Sequence, residues 1–153
     1  MKALAALLLA LAPPGAQALG VTCITSSTGL AFGIYNPVQS TPTDSTGQVS
    51  VQCSGLLGLL VSYSISLSAG GSGSASARRM SGSGGSLGYN VYTDAAHSAL
   101  WGDGSGGTST VADGYLLSIG TVTRNYTAYG RIPARQVVRA GAYADGITIT
   151  VSY

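Results

Sequence analysis

Apolar and polar positions alternate along this chain in short runs, a period that predicts β-strands. The clearest run covers residues 141–153 and places its side chains on two opposite faces of one strand. One face carries Tyr143, Asp145, Ile147, Ile149, Val151 and Tyr153. We predict that Ile147, Ile149, Val151 and Tyr153 need a core to pack against. Because this run comes last, its neighbouring strands must come from earlier in the chain or from another molecule.

Similar alternation recurs upstream, separated by segments rich in glycine, serine and proline. The predicted strands cover Val21–Thr25, a short extended piece at residues 30–33, Gln48–Cys53, Val61–Leu67, residues 87–94, Tyr115–Ile119 and Val122–Ile132. No stretch shows the 3.6-residue period of an amphipathic helix. Many short strands between turn signals predict a single all-β sandwich. Within it, the Gly/Ser-rich segment 68–86, with Arg78 and Arg79, is predicted to be a mobile loop.

The first 18 residues are expected to be a signal peptide rather than part of the fold. A positive Lys2 precedes the apolar segment Ala3–Ala12, and Ala16-Gln17-Ala18 supplies small residues for cleavage. An apolar stretch of this length is too short to span a bilayer. We therefore predict a secreted protein whose single domain covers residues 19–153.

Composition supports an extracellular protein and argues against nucleic-acid binding. The leader contains the single lysine, so its removal lowers the net charge of +2 by one and leaves scattered arginines. Cys23 and Cys53 are the two cysteines, and in an oxidising compartment they predict a disulfide. Closing that loop should stabilise the fold by about 3–4 kcal/mol on the chain-entropy model.

Candidate catalytic and cofactor motifs are weak. His97 lies near Asp94 and several serines, but no G-x-S-x-G nucleophile motif accompanies it. We therefore expect His97 to be an exposed loop residue, and a small secreted hydrolase is an alternative that we do not favour. Residues 102–107 match G-x-G-x-x-G, yet a β-prone segment follows where a dinucleotide site needs a helix. The aspartates are isolated, and one histidine beside two cysteines falls short of a zinc site. We expect no enzyme activity, cofactor or metal.

Two apolar features leave alternatives open. Leu56 and Leu57 fall between two predicted strands, where a loop should be polar. We expect some leucines of this segment to begin the next strand and be buried, and the alternative is an exposed adhesive loop. The nine tyrosines suit the core and rim of a sandwich, with carbohydrate contact as a second possibility.

Five segments together resemble a known family. They are Gly29–Pro37, Val49–Cys53, Leu87–Ala95, Tyr129–Pro133 and Gly141–Tyr153, and they occur in the family's order. The family is the spore coat protein U domain, found in subunits of archaic, Csu-type chaperone–usher pili. The resemblance covers essentially all of the chain after the leader.

The resemblance implies an immunoglobulin-like β-sandwich that lacks one strand. In this family a periplasmic chaperone supplies the missing strand, and at an outer-membrane usher the N-terminal extension of the next pilus subunit replaces it. It thus implies export through the periplasm to a surface pilus, with chaperone, usher and other pilus subunits as partners. The residues expected to line the acceptor groove are Ile147, Ile149, Val151 and Tyr153.

One departure from the family concerns the segment before Cys23. Polymerising subunits carry a donor stretch there, whereas the predicted cleavage leaves four residues, which span at most about 14 Å. The sequence therefore favours a subunit that accepts a strand without donating one, as at a fibre tip. An upstream start codon and a coat protein that does not polymerise are the alternatives.

Overall fold

The structure is a computed structural model that describes residues 20–56, 58–118 and 120–153. Within these residues it contains no α-helix, and the all-β prediction is confirmed. The strands are β1 (Val21–Thr28), β2 (Thr43–Gly55), β3 (Leu60–Leu67), β4 (Arg79–Gly82), β5 (Gly85–Gly88), β6 (Asn90–Tyr92), β7 (Val111–Leu116), β8 (Thr121–Ile132), β9 (Tyr143–Ala144) and β10 (Ile149–Ser152). No helix in this described part is long and apolar enough to cross a membrane. The predicted leader, residues 1–18, lies outside the described residues.

Two antiparallel sheets form the sandwich. The first has the strand order β1-β2-β8-β6 and the second β10-β3-β7, while β5-β4-β9 form a small additional sheet. The predicted period of two explains how each sheet meets the core. In β3, for example, every second side chain is buried: Val61, Tyr63, Ile65 and Leu67. Trp101 lies fully buried between the sheets, where its indole N–H donates to the Ile65 carbonyl at 3.0 Å.

The strand order matches an immunoglobulin-like sandwich that is one strand short. The order β1-β2-β8-β6 corresponds to strands A, B, E and D of that fold, and β10 beside β3 corresponds to F beside C. The last strand of the fold, G, would pair with the free edge of β10. Among the described residues no strand pairs with that edge.

The sandwich has two ends that differ in their side chains. At one end β2 passes into β3 and β7 passes into β8, and we call it the leucine end because Leu56, Leu60 and Leu116 lie there. At the opposite end, the loop end, Thr43 pairs with Ile132, so the loops 36–42 and 133–142 leave the first sheet together. β10 runs from the loop end toward the leucine end, because Ile149 lies opposite Leu67 at the far end of β3 from Leu60.

The prediction of a mobile loop over residues 68–86 is wrong. The segment forms β4 and part of β5, and the Arg78 side chain is 1% exposed. Its guanidinium donates to the carbonyls of Leu67, Ser68, Ala75 and Trp101 and to the side-chain amide oxygen of Asn90. Burial lowers the pKa of this guanidinium. The glycine and serine content predicted a flexible segment. The buried Arg78 side chain instead holds the segment in place through its hydrogen bonds to the carbonyls of Ser68 and Ala75.

The final segment alternates as predicted but is not one continuous strand. Exposed and half-buried residues follow each other from Tyr143 to Val151. The ladder is interrupted over residues 145–148, so β9 pairs with β4 and β10 pairs with β3. Asp145 lies at the interruption, where its carboxylate accepts backbone N–H groups of Gly71 and Gly146, each at 2.9 Å. These bonds replace the missing strand pairing there.

Candidate functional site: an open groove between the two sheets

An apolar groove of about 460 Å³ opens where β1 and β10 form the free edges of the two sheets. The end of β1 forms one wall, and residues 143–149 form the other. The base consists of core side chains reached from outside. The apolar side chains that line the walls and the base together are those of Leu30, Phe32, Val49, Leu67, Met80, Tyr89, Val91, Ala128, Tyr143, Ile147 and Ile149. A groove of this kind suits an extended segment that carries apolar side chains.

The structure brings together two of the four predicted groove residues. Ile147 and Ile149 line the groove and are half-buried. Val151 packs against the core beyond the groove, and Tyr153 is 49% exposed. The sequence predicted Leu30 and Phe32 in a short extended piece but did not assign them to the groove. They precede β2 without joining a sheet and pack against Gly130 on β8. Their alternation with Ala31 was the signal that could have identified them.

Among the described residues that line the groove, Asp145 is the single charged one. The Tyr89 hydroxyl donates to its carboxylate at 2.7 Å, so both polar groups are satisfied within the wall. Burial, followed by this bond to Asp145, raises the pKa of the Tyr89 hydroxyl well above its usual value. The wall therefore offers an incoming segment apolar contacts and the free backbone edge of β10, with no cationic group.

The predicted disulfide is present and fastens the β1 wall to the rest of the first sheet. Cys23 on β1 lies directly opposite Cys53 on β2, and the two sulfurs are bonded. The bond thus joins neighbouring strands rather than facing sheets. Cys53 is fully buried, and the bond lies toward the leucine end of β1.

On the other side of the sandwich, tyrosines close the space between the sheets. Tyr63 on β3 and Tyr126 on β8 join their hydroxyls at 2.5 Å, and Tyr126 donates to Asp113 on β7. Burial and these contacts raise the pKa of the Tyr126 hydroxyl strongly. Arg124 covers the ring of Tyr115 at 5.0 Å from its centroid. The tyrosines therefore pack in the core and at its rim, as the sequence led us to expect.

His97 is not the exposed loop residue that the sequence predicted. Its side chain is 9% exposed and packs edge-on against the rings of Tyr92 and Tyr129. The nearest carboxylate is that of Asp44, 3.9 Å from Nε2, and this carboxylate already accepts two bonds from Arg131. Asp94 instead accepts the backbone N–H groups of its own turn. Within residues 20–56, 58–118 and 120–153, the histidine thus has no serine or free carboxylate placed as a Ser-His-Asp arrangement needs.

The leucine end exposes side chains that we expected to be buried. Leu60 does begin the next strand, but it is 71% exposed. Leu56 is 72% exposed and Leu116 is 64% exposed. Leu57 lies outside the described residues. Backbone bonds between the two loops hold this surface: Gly58 donates to Leu117, and Leu117 donates to Leu59. Leu59 is half-buried and packs against the core, so the expectation that some leucines of this segment are buried holds in part for Leu59 and fails for Leu56 and Leu60.

Fold and groove define a class of protein: an immunoglobulin-like sandwich that is open along the edge of its last strand. A family model described as Spore Coat Protein U domain matches residues 12–150, and the chain belongs to that family. No curated protein matches the chain.

Among solved structures, the chain is similar to one in a crystal structure of the CsuC–CsuE chaperone–tip adhesion subunit pre-assembly complex. That complex comes from the archaic chaperone–usher Csu pili of Acinetobacter baumannii. The identity is 20% and the TM-score 0.56 over 87% of this chain. The match covers 40% of the length of the solved chain. This likeness supports the fold.

Proposed function

We propose that this protein is a structural subunit of a surface pilus of the archaic chaperone–usher type and that it accepts a strand from a partner. The observation that carries the proposal is the groove between β1 and β10, which coincides with the place of the missing G strand. An added strand would pair with the free edge of β10 and bury apolar side chains on the groove base. Membership of the Spore Coat Protein U domain family supports it.

The proposed partners follow from two stages of assembly. A periplasmic chaperone supplies the strand first, and at an outer-membrane usher a segment of another pilus subunit replaces it. The neighbouring solved structure is a complex of a chaperone with a tip adhesion subunit, which supports the first stage by analogy. The protein would then leave through the periplasm and reside on the cell surface. This role is structural, and the surroundings of His97 favour it over a hydrolase.

Replacing Ile149 with aspartate tests the groove. Ile149 lines it, and binding a strand there would bury the new carboxylate without a partner, which costs several kcal/mol. We expect the affinity of the variant for the co-expressed periplasmic chaperone, with which it forms a 1:1 complex, to be at least about a hundredfold lower. The measurement is the yield of complex from the periplasm on size-exclusion chromatography.

The matched control is Thr150→Asp, one residue further along β10. Thr150 is exposed on the opposite face of the strand, so the same charge there should leave the complex intact. Equal losses from the two variants would contradict a groove-specific role. A stable wild-type monomer that never binds a chaperone would contradict the proposal as a whole.

The position of the subunit in the fibre stays a prediction from the sequence. We propose a terminal, strand-accepting subunit, on the ground that the predicted cleavage leaves four residues before Cys23. N-terminal sequencing of the chain from purified pili measures this segment directly. Immunogold labelling that decorates the whole fibre shaft would contradict the terminal position.

A second candidate function, adhesion, is favoured by the exposed leucines. Leu56, Leu60 and Leu116 are all exposed at the leucine end, where the sequence segments 54–60 and 116–122 carry no charged residue, and an apolar material is their natural counterpart. We expect the variant that changes all three to serine to assemble normally and to lose at least about tenfold in binding of its pili to polystyrene. The change Ile24→Ser, at an exposed position on β1, serves as the control. Unchanged binding of the triple variant would remove adhesion from this surface.

A further inference from the structure

Three aliphatic side chains protrude from the loop end of the sandwich. Val137 is 100% exposed, Ile34 96% and Val38 84%. Val38 and Val137 lie in the two loops that leave the first sheet together, and Ile34 precedes the first of these loops. We call these three side chains the apolar cap. Protruding aliphatic side chains on adjoining loops suggest contact with another protein.

The apolar cap adjoins the groove. A second cavity of about 590 Å³ reaches from Ile34 to Val138, and it shares Leu30, Phe32, Met80 and Tyr143 with the groove lining. The Tyr35 hydroxyl links the start of the loop 36–42 to the loop 133–142. It donates to the Pro133 carbonyl at 3.0 Å and accepts the Gln136 N–H at 2.8 Å. The groove therefore continues toward the loop end, where Ile34 of the cap borders it.

The topology also gives the direction in which an inserted strand would leave. β10 runs from the loop end to the leucine end, and strand G of an immunoglobulin-like sheet is antiparallel to strand F. A strand added antiparallel to β10 therefore runs from the leucine end to the loop end. The family resemblance implies that the donated segment is the N-terminal extension of the next subunit. The chain that follows the segment then leads into the body of that subunit and emerges at the loop end, beside the apolar cap.

We propose that the apolar cap is the docking surface for the body of the subunit whose segment fills the groove. This inference rests on the proposed function. Arg135 and Arg139 flank the cap and are exposed, and neither forms an ion pair within the described part of the chain. The fitting partner surface is thus apolar with carboxylates at its rim. Such a contact joins different faces of the two subunits.

Site-specific photo-crosslinking in assembled pili tests the contact. A benzophenone side chain placed at Val137 should crosslink the chain to a second pilus subunit, identified by mass spectrometry. The same group at Ile24 serves as the control, because Ile24 is exposed on β1 away from the loop end. Crosslinks from Val137 to the pilus subunit adjacent in the fibre would support the proposal. Their absence from pili that contain the chain would overturn it.

The variant Val38→Asp/Val137→Asp separates the cap from the groove. Its chaperone complex should form in the normal amount, because both side chains are exposed and neither lines the groove or the second cavity. Incorporation into pili should fall at least about tenfold, whereas Ile24→Asp should leave it unchanged. Normal incorporation of the double variant would overturn the cap proposal alone. Failure of the wild-type chain to bind a chaperone or enter pili would instead overturn the proposed function.

Discussion

Arg78→Ala is expected to destabilise the protein by about 3–5 kcal/mol, a large part of the stability of a small domain. The guanidinium holds four backbone carbonyls and the Asn90 amide oxygen, and alanine would leave these acceptors buried without donors. The measurement is guanidinium chloride unfolding followed by the fluorescence of Trp101, the single tryptophan, whose carbonyl accepts one of these bonds. We expect little folded variant to accumulate in the periplasm.

The adjacent Arg79 provides a matched control. Its side chain is exposed and makes one long contact, 3.4 Å, to the hydroxyl of Ser86. Arg79→Ala should therefore change the free energy of unfolding by less than about 0.5 kcal/mol. Arg78→Lys should fall between the two, because an ammonium supplies three donors where the guanidinium supplies five. Equal effects at positions 78 and 79 would contradict the structural role of the buried arginine.

Loss of the disulfide is the second large effect. The variant Cys23→Ser/Cys53→Ser should lose about 3–4 kcal/mol of stability, because the bond closes a loop between residues 30 apart in sequence. The serine at position 53 would also lie in a fully buried place among apolar side chains. The expected result is a lower midpoint of chemical unfolding and less strand-accepting subunit, since β1 is one wall of the groove.

Reduced wild-type protein controls for the substitutions themselves. Treatment with dithiothreitol should lower the unfolding midpoint toward that of the double variant, and the remaining difference measures the burial of the serine hydroxyls. A reduced protein with unchanged stability and normal chaperone binding would contradict the expected role of the bond.

Local patterning predicted β3 and β8 well, because alternation is a direct consequence of one buried face, but β7 covers Val111–Leu116 where the pattern predicted Tyr115–Ile119. β3 and β8 lie almost where the alternation placed them. Boundaries were harder, since β2 begins at Thr43 in a segment whose glycine and threonines carry little pattern. The interruption at residues 145–148 depends on where the Asp145 carboxylate finds distant N–H groups, and no local pattern encodes such contacts.

The candidate site was only partly predictable, for a related reason. Ile147 and Ile149 were identified from alternation, but groove membership also depends on which sheet edges remain free. Arg78 was assigned to a flexible segment, because its acceptors lie up to 23 residues away and composition does not reveal them. The exposure of Leu60 likewise depends on tertiary structure: a leucine at the first position of a strand is buried only if something covers that end of the sandwich.

The free edge of β10 has a consequence for the cell that makes this protein. An unpaired edge beside an apolar groove is also a template on which a second copy can add its own strand in a wrong register. Under the proposed function, the fraction of subunit completed by the correct strand rises with the ratio of the strand donor's concentration to its dissociation constant. Synthesis of the subunit in excess over its donor would then yield aggregate and proteolysis, so balanced expression of the two genes becomes part of the folding mechanism.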